Sequence, residues 1–349
     1  MKSLPALPWV VDRLFVPVVG TLVFLVLSAA FFHFNGYPPL EIFAQIVQGA
    51  FGSAFSTNTT LTKTIPILFC ALATALPARM GLVSVGAEGQ LYFGALMGTA
   101  AVLSLTAAPF WELFPAALLL ALLGGALWGA IPGVLRAALG VNETIVTILM
   151  NYIAIKLVEY AVYGPWKDNA NLGWPATIAF PDASKFPPLN IGAFNSNWAL
   201  VLAVLLALAL HLFVERSRWG TGLGLLRSNP RVARMAGLSY ARHAMAVMAL
   251  AGGFAGLAGL VQTANVQGHL QPDISSGYGY IGFLVAWLAG QNFLRIIPLA
   301  LIMGGLLSAG DALQLFAQLP FANTVVMQAL LFISVLGVGA WRAKRRVAP

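Results

Sequence analysis

The sequence predicts an all-α integral membrane protein with about ten transmembrane helices, and three observations carry that fold class. Of its 349 residues 59% are hydrophobic and 9% charged, against roughly 25% charged in ordinary soluble domains, and the mean hydropathy is +0.84. Apolar runs recur from end to end, each near the 20 or so residues that a helix needs to cross a hydrocarbon core about 30 Å thick. The basic residues gather at alternate ends of those runs, which orients them.

The first run, 14–33, follows Lys2 and Arg13. It is longer than the roughly 7 to 15 apolar residues of a signal-peptide core, so it reads as an uncleaved first helix. The second, 61–79, contains the apolar stretch 65–75 and stops at Arg79. Runs 90–107 and 111–134 follow across a very short connection, and 143–163 opens beside the polar Asn142 and Glu143. After a long polar interval come 197–215 and 242–265, then 278–294 and 296–314, again almost continuous, and last 322–341.

Lys and Arg collect in loops on the cytoplasmic side of a membrane. With the N-terminus inside, the cytoplasmic segments hold Lys2, Arg13, Arg79, Arg136, Arg216, Arg218, Arg227, Arg231, Arg234, Arg242, Arg295, Arg342, Lys344, Arg345 and Arg346. The outer segments hold only Lys63, Lys167 and Lys185, and Lys156 falls inside a run, which accounts for all 19 basic residues. The asymmetry predicts both termini in the cytoplasm and an even number of spans. It also assigns the net charge of +8 to membrane topology and lipid head groups, with no nucleic acid as partner.

All of 1–349 reads as one transmembrane domain with two long loops. The outer loop, 164–196, contains Pro165, Pro175, Pro181, Pro187 and Pro188 and so forms an irregular flap; its rings Trp166, Trp174 and Phe180 suit an interfacial aromatic belt. Five runs precede this flap and five follow it, and an odd number per half would invert one half relative to the other if both shared an ancestor. Glycines recur in both halves, Gly124, Gly125, Gly129 and Gly133 against Gly252, Gly253, Gly256 and Gly259. Small residues that let helices pack closely in lipid produce the same pattern, so a five-plus-five inverted repeat stays open.

Several chemistries are excluded or disfavoured. Cys70 is the single cysteine and sits in an apolar run, so no disulfide framework and no thiolate metal site is expected. His33, His211, His243 and His269 are scattered, and no H-E-x-x-H occurs, which argues against a membrane enzyme. None of Lys2, Lys63, Lys156, Lys167, Lys185 or Lys344 follows a glycine, so there is no P-loop. An ATP-driven role therefore requires another subunit. A self-powered secondary transporter is the main rival, but it needs coupling carboxylates at the midplane, and Glu159, the best candidate, has Lys156 three residues before it.

The cytoplasmic loop 216–241 is the most informative segment. Within it Asn229 is a good N-cap, Pro230 suits the first helical position and Gly237 a C-terminal stop, so a short helix outside the membrane is expected. It has a polar face with Arg231 and Arg234 and a small apolar face with Val232, Ala233 and Ala236. Such a helix fits a groove in another protein, while arginines so placed also fit anionic lipid.

The segment resembles the cytoplasmic loop of permeases in the branched-chain amino acid, simple-sugar and nucleoside class of ATP-binding-cassette importers. Gly224, Arg227, Asn229, Pro230, Ala233, Gly237 and Leu238 carry the match, with Ser228 where a glycine and Val232 where an alanine is usual. The resemblance implies a coupling helix docked on an ATPase, formed by Arg227, Ser228, Asn229, Pro230, Arg231, Ala233, Arg234, Gly237 and Leu238. GLVSVGAEGQLYFGAL from Gly81, VNETIVTILMNYIA from Val141, YGPWKD from Tyr163 and GDALQ from Gly310 are similar to the nucleoside branch, and the likeness runs over nearly the whole chain. It implies import of nucleosides, of purine type, across a bacterial cytoplasmic (inner) membrane; simple sugars or branched-chain amino acids are the alternative cargo. The implied partners are an ABC ATPase that binds the ATP and Mg, a second, homologous permease, and an extracytoplasmic substrate-binding protein or lipoprotein. This chain itself is expected to hold no cofactor or metal.

Polar side chains at membrane depth are costly and face a bundle interior or a water-filled path. The pathway candidates are Glu88 and Gln90, then Asn142, Glu143, Asn151 and Glu159, then Gln262 and Asn265, with Gln267 nearby. Asn151 and Glu159 share a helical face while Lys156 points elsewhere, and Lys156 with Glu159 forms an i, i+3 pair that can neutralise itself. Gly86, Glu88 and Gly89 break two apolar runs; the expectation is an ordinary cytoplasmic turn with Glu88 capping the following helix, against a re-entrant turn beside a cavity.

Overall fold

The computed structural model describes residues 6–170, 173–192, 194–316 and 318–347; Lys2, assigned above to the cytoplasm, lies outside them. In chain order the helices are α1 (Ala6–Phe34), α2 (Pro39–Phe51), α3 (Ala54–Ala78), α4 (Ala87–Ser104), α5 (Phe110–Leu139), α6 (Glu143–Tyr163), α7 (Trp198–Arg216), α8 (Arg218–Ser228), α9 (Pro230–Met235), α10 (Tyr240–Val261), α11 (Tyr278–Leu288), α12 (Phe293–Phe316) and α13 (Ala322–Val347). A hairpin of β1 (Pro188–Ile191) and β2 (Phe194–Asn197) lies in the flap, paired antiparallel with Asn190 opposite Asn195.

Every predicted run falls on a helix, but the helices differ in reach. Among the described residues seven are long and apolar enough to cross a membrane: α3, α5, α6, α7, α10 with its extension, α12 and α13. An eighth counts if α1 and α2, bent by 116° at the Tyr37–Pro38 break, form one broken span. The run 278–294 is not one helix. Its helix α11 has 11 residues, about 16 Å at 1.5 Å per residue, half of a hydrocarbon core. Gly290 and Gln291, both at positive φ, end it. Helix α2 had no counterpart in the sequence reading, because Glu41, Gln45 and Gln48 interrupt its apolar run; Pro39 at its first position favours the start.

The described chain forms two compact units, one of residues up to Thr60 with those from Gly305 on, the other Leu61–Gly304. In the first, α1 lies along α13, with Gly20 against Val335. Thr60 Oγ1 donates to the Ala50 carbonyl at 2.7 Å, and Ser308 Oγ to the Gly49 carbonyl at 3.1 Å.

The second unit is built on α4, α5 and α10, which meet through glycine. A Cβ on Gly125 would stand 2.2 Å from the Gly252 carbonyl oxygen, one on Gly256 2.2 Å from the Ala121 carbonyl oxygen, and one on Gly94 2.2 Å from the Gly256 Cα. Gly125 and Gly129 of one half and Gly252 and Gly256 of the other are therefore opposite sides of one interface, where backbone meets backbone, while Gly124 and Gly259 face α4.

The turn after α3 departs from expectation. Residues 82–85 form neither helix nor strand and run along α6: the Val83 N–H donates to Glu143 Oε1 (3.1 Å), the Val85 N–H to Thr147 Oγ1 (3.2 Å) and the Gly89 N–H to Asn151 Oδ1 (2.9 Å). The acceptors step along α6 one turn at a time, so α4 starts about two turns, some 11–12 Å, beyond the first residue of α6. The chain thus lies along α6 before α4 begins, where an ordinary turn was expected. Glu88 caps not its own helix but α11, accepting the Gly279 N–H at 2.6 Å.

The flap, 164–197, is irregular as its prolines require, and it is fastened to the end of α10. Phe180 N–H donates to the Gly268 carbonyl (2.7 Å), and Thr177 and Leu270 exchange two bonds of 3.0 Å each. Phe180, expected in the interfacial belt, is buried there instead, while Trp174 is exposed.

Candidate functional site

On the basic side, α8 and α9 are separated by Asn229, whose extended backbone (φ −148°, ψ 90°) breaks the helix. Its Oδ1 accepts the N–H groups of Arg231 and Val232, each at 3.2 Å, and Pro230 occupies the first helical position. At the other end Gly237 has φ +77°. The Leu238 N–H reaches back to the Ala233 carbonyl and the Gly237 N–H to that of Arg234, both at 3.0 Å, a paired C-terminal lock that needs a left-handed residue. The short helix expected from Asn229, Pro230 and Gly237 is thus present, held by its own caps.

Ala233 faces inward and is fully buried, with Leu223 and Leu226 of α8 also buried. Arg231, Val232, Arg234, Met235 and Ala236 are exposed, Met235 by 89%. The exposed surface mixes two cations with apolar groups; of the expected apolar face Ala233 turns into the protein while Val232 and Ala236 stay exposed beside the arginines.

Arg227 differs from Arg231 and Arg234. Its Nη1 donates to the Ala78 carbonyl (3.4 Å) and to Gln291 Oε1 (3.3 Å), so it ties α8 to the end of α3 and to the turn between α11 and α12. Ser228 Oγ donates to the Leu225 carbonyl of its own helix (3.4 Å). Arg79 pairs with Glu215 at the end of α7 and lies over the Phe293 ring, 5.3 Å from its centroid. Arg136 is 3.4 Å from Glu143 and 3.4 Å from Tyr240 Oη. Sequence reasoning counted Arg79 and Arg136 only as topology markers, since their partners are distant in the chain.

The pathway candidates mostly hold backbone. Glu88, 3% exposed, carries the cap on α11. Asn151 is fully buried and also donates to the Val85 carbonyl (2.9 Å) and Tyr280 Oη (3.4 Å). Asn142 caps α6 through the Thr144 and Ile145 N–H groups, and Glu143 binds Val83 and Arg136. Gln90 is buried beside Gly86 and Gly129. Glu159 pairs with Lys156 at 2.6 Å, the self-neutralising pair expected from their spacing.

At the end of α10 the helix widens into a π-type turn, 262–267, of a kind often found at functional sites. It buries Gln262 and turns Asn265 onto the flap, where its side chain accepts the Phe186 N–H and donates to the Phe186 carbonyl, both at 3.0 Å. Beside it lies a cavity of about 810 Å³ between the flap, Thr62 and Phe110. A second cavity, about 550 Å³, lies behind α9 and is lined by Arg234, Leu238 and Tyr240.

A family model described as "branched-chain amino acid transport system / permease component" matches residues 56–336. Among characterised proteins, the chain is 29% identical to the glucose ABC transporter permease protein TsgB13 of Haloferax volcanii over 85% of this chain and 80% of that one. It is 29% identical to the guanosine ABC transporter permease protein NupP of Bacillus subtilis, over 84% of this chain and 85% of that one. It is 26% identical to the nucleoside ABC transporter permease protein NupB of Lactococcus lactis, over 92% and 90%.

Proposed function

The chain belongs to the branched-chain amino acid transport system / permease component family, and from that premise we propose that it carries purine-type nucleosides inward across a bacterial cytoplasmic membrane as one permease subunit of an ATP-driven importer. The observation that carries the ATP-driven part is α9: an exposed, doubly capped helix presenting Arg231, Val232, Arg234 and Met235 on the basic side. Cations around an apolar patch suit a groove in a protein partner. In this reading both termini are cytoplasmic and the ten apolar runs form ten membrane segments, α11 and α4 meeting partway across. ATP and Mg act at the ATPase, an extracytoplasmic binding protein delivers the solute, and a second, homologous permease completes the pore.

Coupling runs through Arg227. When closure of the ATPases shifts α8 and α9, the bonds from Arg227 to Ala78 and Gln291 draw on the ends of α3 and α11, switching access from one face to the other. Replacing Arg234 by Glu is expected to leave the purified, folded complex intact while abolishing binding-protein-stimulated ATP hydrolysis and uptake. Full stimulation in that variant would remove α9 from the coupling role.

For cargo, the guanosine and nucleoside relatives support a nucleoside, while the glucose relative, at the same 29% identity as the guanosine one, supports a sugar as the second reading. Thermal-shift measurement on the cognate binding protein separates them. Protection by guanosine or adenosine is expected; protection by ribose or glucose alone would replace the nucleoside reading with the sugar one.

A further inference from the structure

The cavity of about 810 Å³ under the flap has a chemistry that nothing above has used. It is large enough for a drug-sized molecule, whose sites run to roughly 300–1,000 Å³. It is also built and not a gap between loose loops: Asn265 clamps Phe186 by two bonds of 3.0 Å, and the Thr177–Leu270 and Phe180–Gly268 bonds hold the rest of the flap against the end of α10.

One wall is aromatic. Phe110 is 41% exposed and lies nearly parallel to Phe114, centroids 5.0 Å apart at 11°, and Phe114 meets the buried Phe186 edge-on at 4.9 Å. The ring supporting Phe110 is thereby held in place, and a flat ring entering the cavity can extend the stack. The facing wall is the hairpin, where Asn190 and Asn195 stand opposite each other as two amides that both donate and accept. Ser196, paired with Leu189, turns to the opposite face of the hairpin, so the two amides are what this strand pair offers on the Asn190 side. The charged residues of the lining, Asp182 and Lys185, are bonded to each other at 2.6 Å, and that pair holds Asp182 below the usual carboxylate range. The lining thus combines an aromatic face, amides and neutralised charge.

We propose that this cavity is a reception site for an uncharged nucleoside on the flap side, its base stacked on Phe110 and its hydroxyls and base edge bonded by Asn190 and Asn195. The inference deepens the nucleoside reading above and rests on it. A zwitterionic amino acid would meet no unpaired charge here, and a free sugar would leave the Phe110 stack without a flat partner.

The test is equilibrium binding of radiolabelled guanosine to the full-length chain in nanodiscs, with unlabelled adenosine, ribose, glucose and leucine as competitors. Saturable binding is expected, displaced by adenosine and not by ribose, glucose or leucine. Phe110→Ala and Asn190→Ala are each expected to weaken it about tenfold, whereas Phe110→Trp, which keeps a stacking face, retains it. Guanosine binding that both alanine variants leave unchanged overturns this site and leaves nucleoside transport standing. Displacement by ribose or glucose but not adenosine overturns the ligand class and the nucleoside reading together. No saturable binding, or a loss of binding-protein affinity in Phe110→Ala with guanosine binding unaltered, overturns the reception site in favour of a docking surface.

Discussion

Glu88 shows how much one side chain can hold in a membrane fold. Its carboxylate is buried at the start of α4 and accepts the Gly279 N–H at the start of α11. Helix N-termini leave N–H groups unpaired and carry partial positive charge, and both helices start here. A charge-assisted bond of this kind contributes about 1.5–3 kcal/mol. Glu88→Ala is therefore expected to lower the thermal midpoint of the detergent-purified protein, read by intrinsic fluorescence, and Glu88→Gln to lower it less. Gly279→Ala should be at least as damaging, because a Cβ there would stand 2.2 Å from the Glu88 nitrogen; an unchanged midpoint in Gly279→Ala would show that α4 and α11 do not meet this way. On α9, Asn229→Ala removes a cap worth about 1 kcal/mol and Asn229→Asp restores it. The expected result is reduced ATPase stimulation in the first variant and recovery in the second, with the midpoint of the whole protein unchanged. Asn229 and Gly237 were legible in the sequence because capping is chemistry among residues a few positions apart. Glu88 was legible as unusual but not as a cap on α11, because its partner lies 191 positions away.

The helices were located by their apolar content, but their ends and partners answer to forces that hydropathy does not record. The run 278–294 looked continuous because Gly290, Gln291 and Asn292 form a short polar gap; their positive-φ turn ends α11 at half the membrane thickness. The irregular segment 82–85 was visible only as a polar break, since its path depends on hydrogen bonds offered by Glu143 and Thr147 of α6. The glycine runs, by contrast, signalled close packing correctly, though not that α5 and α10 were each other's partner. Gly256→Leu is expected to prevent recovery of a monodisperse protein by size-exclusion chromatography, because the side chain would be driven into the Ala121 carbonyl at 2.2 Å. Gly337→Ala, with nothing within 4 Å of the new Cβ, should be neutral or stabilising by up to about 1 kcal/mol. Equal behaviour of the two variants would refute the packing described for α5 and α10.

For the molecule as a whole, the charge asymmetry orders the account: the basic residues Arg79, Arg136, Arg227, Arg231 and Arg234 gather on the side that carries α9, and the flap with its amide-rich cavity belongs to the other side of the sequence's predicted topology. In the proposed reading energy enters at α9 and solute at the flap, with the glycine-packed α4, α5 and α10 as the frame between them. The most direct measurement of this division of labour is guanosine uptake into proteoliposomes that hold the permease with its ATPase and second permease, supplied with the binding protein outside. Uptake is expected only with ATP and Mg on the ATPase side, and it should vanish when the ATPase is omitted or Arg234 is replaced by Glu. Uptake by this chain without an ATPase, driven by a proton or sodium gradient alone, would contradict the account.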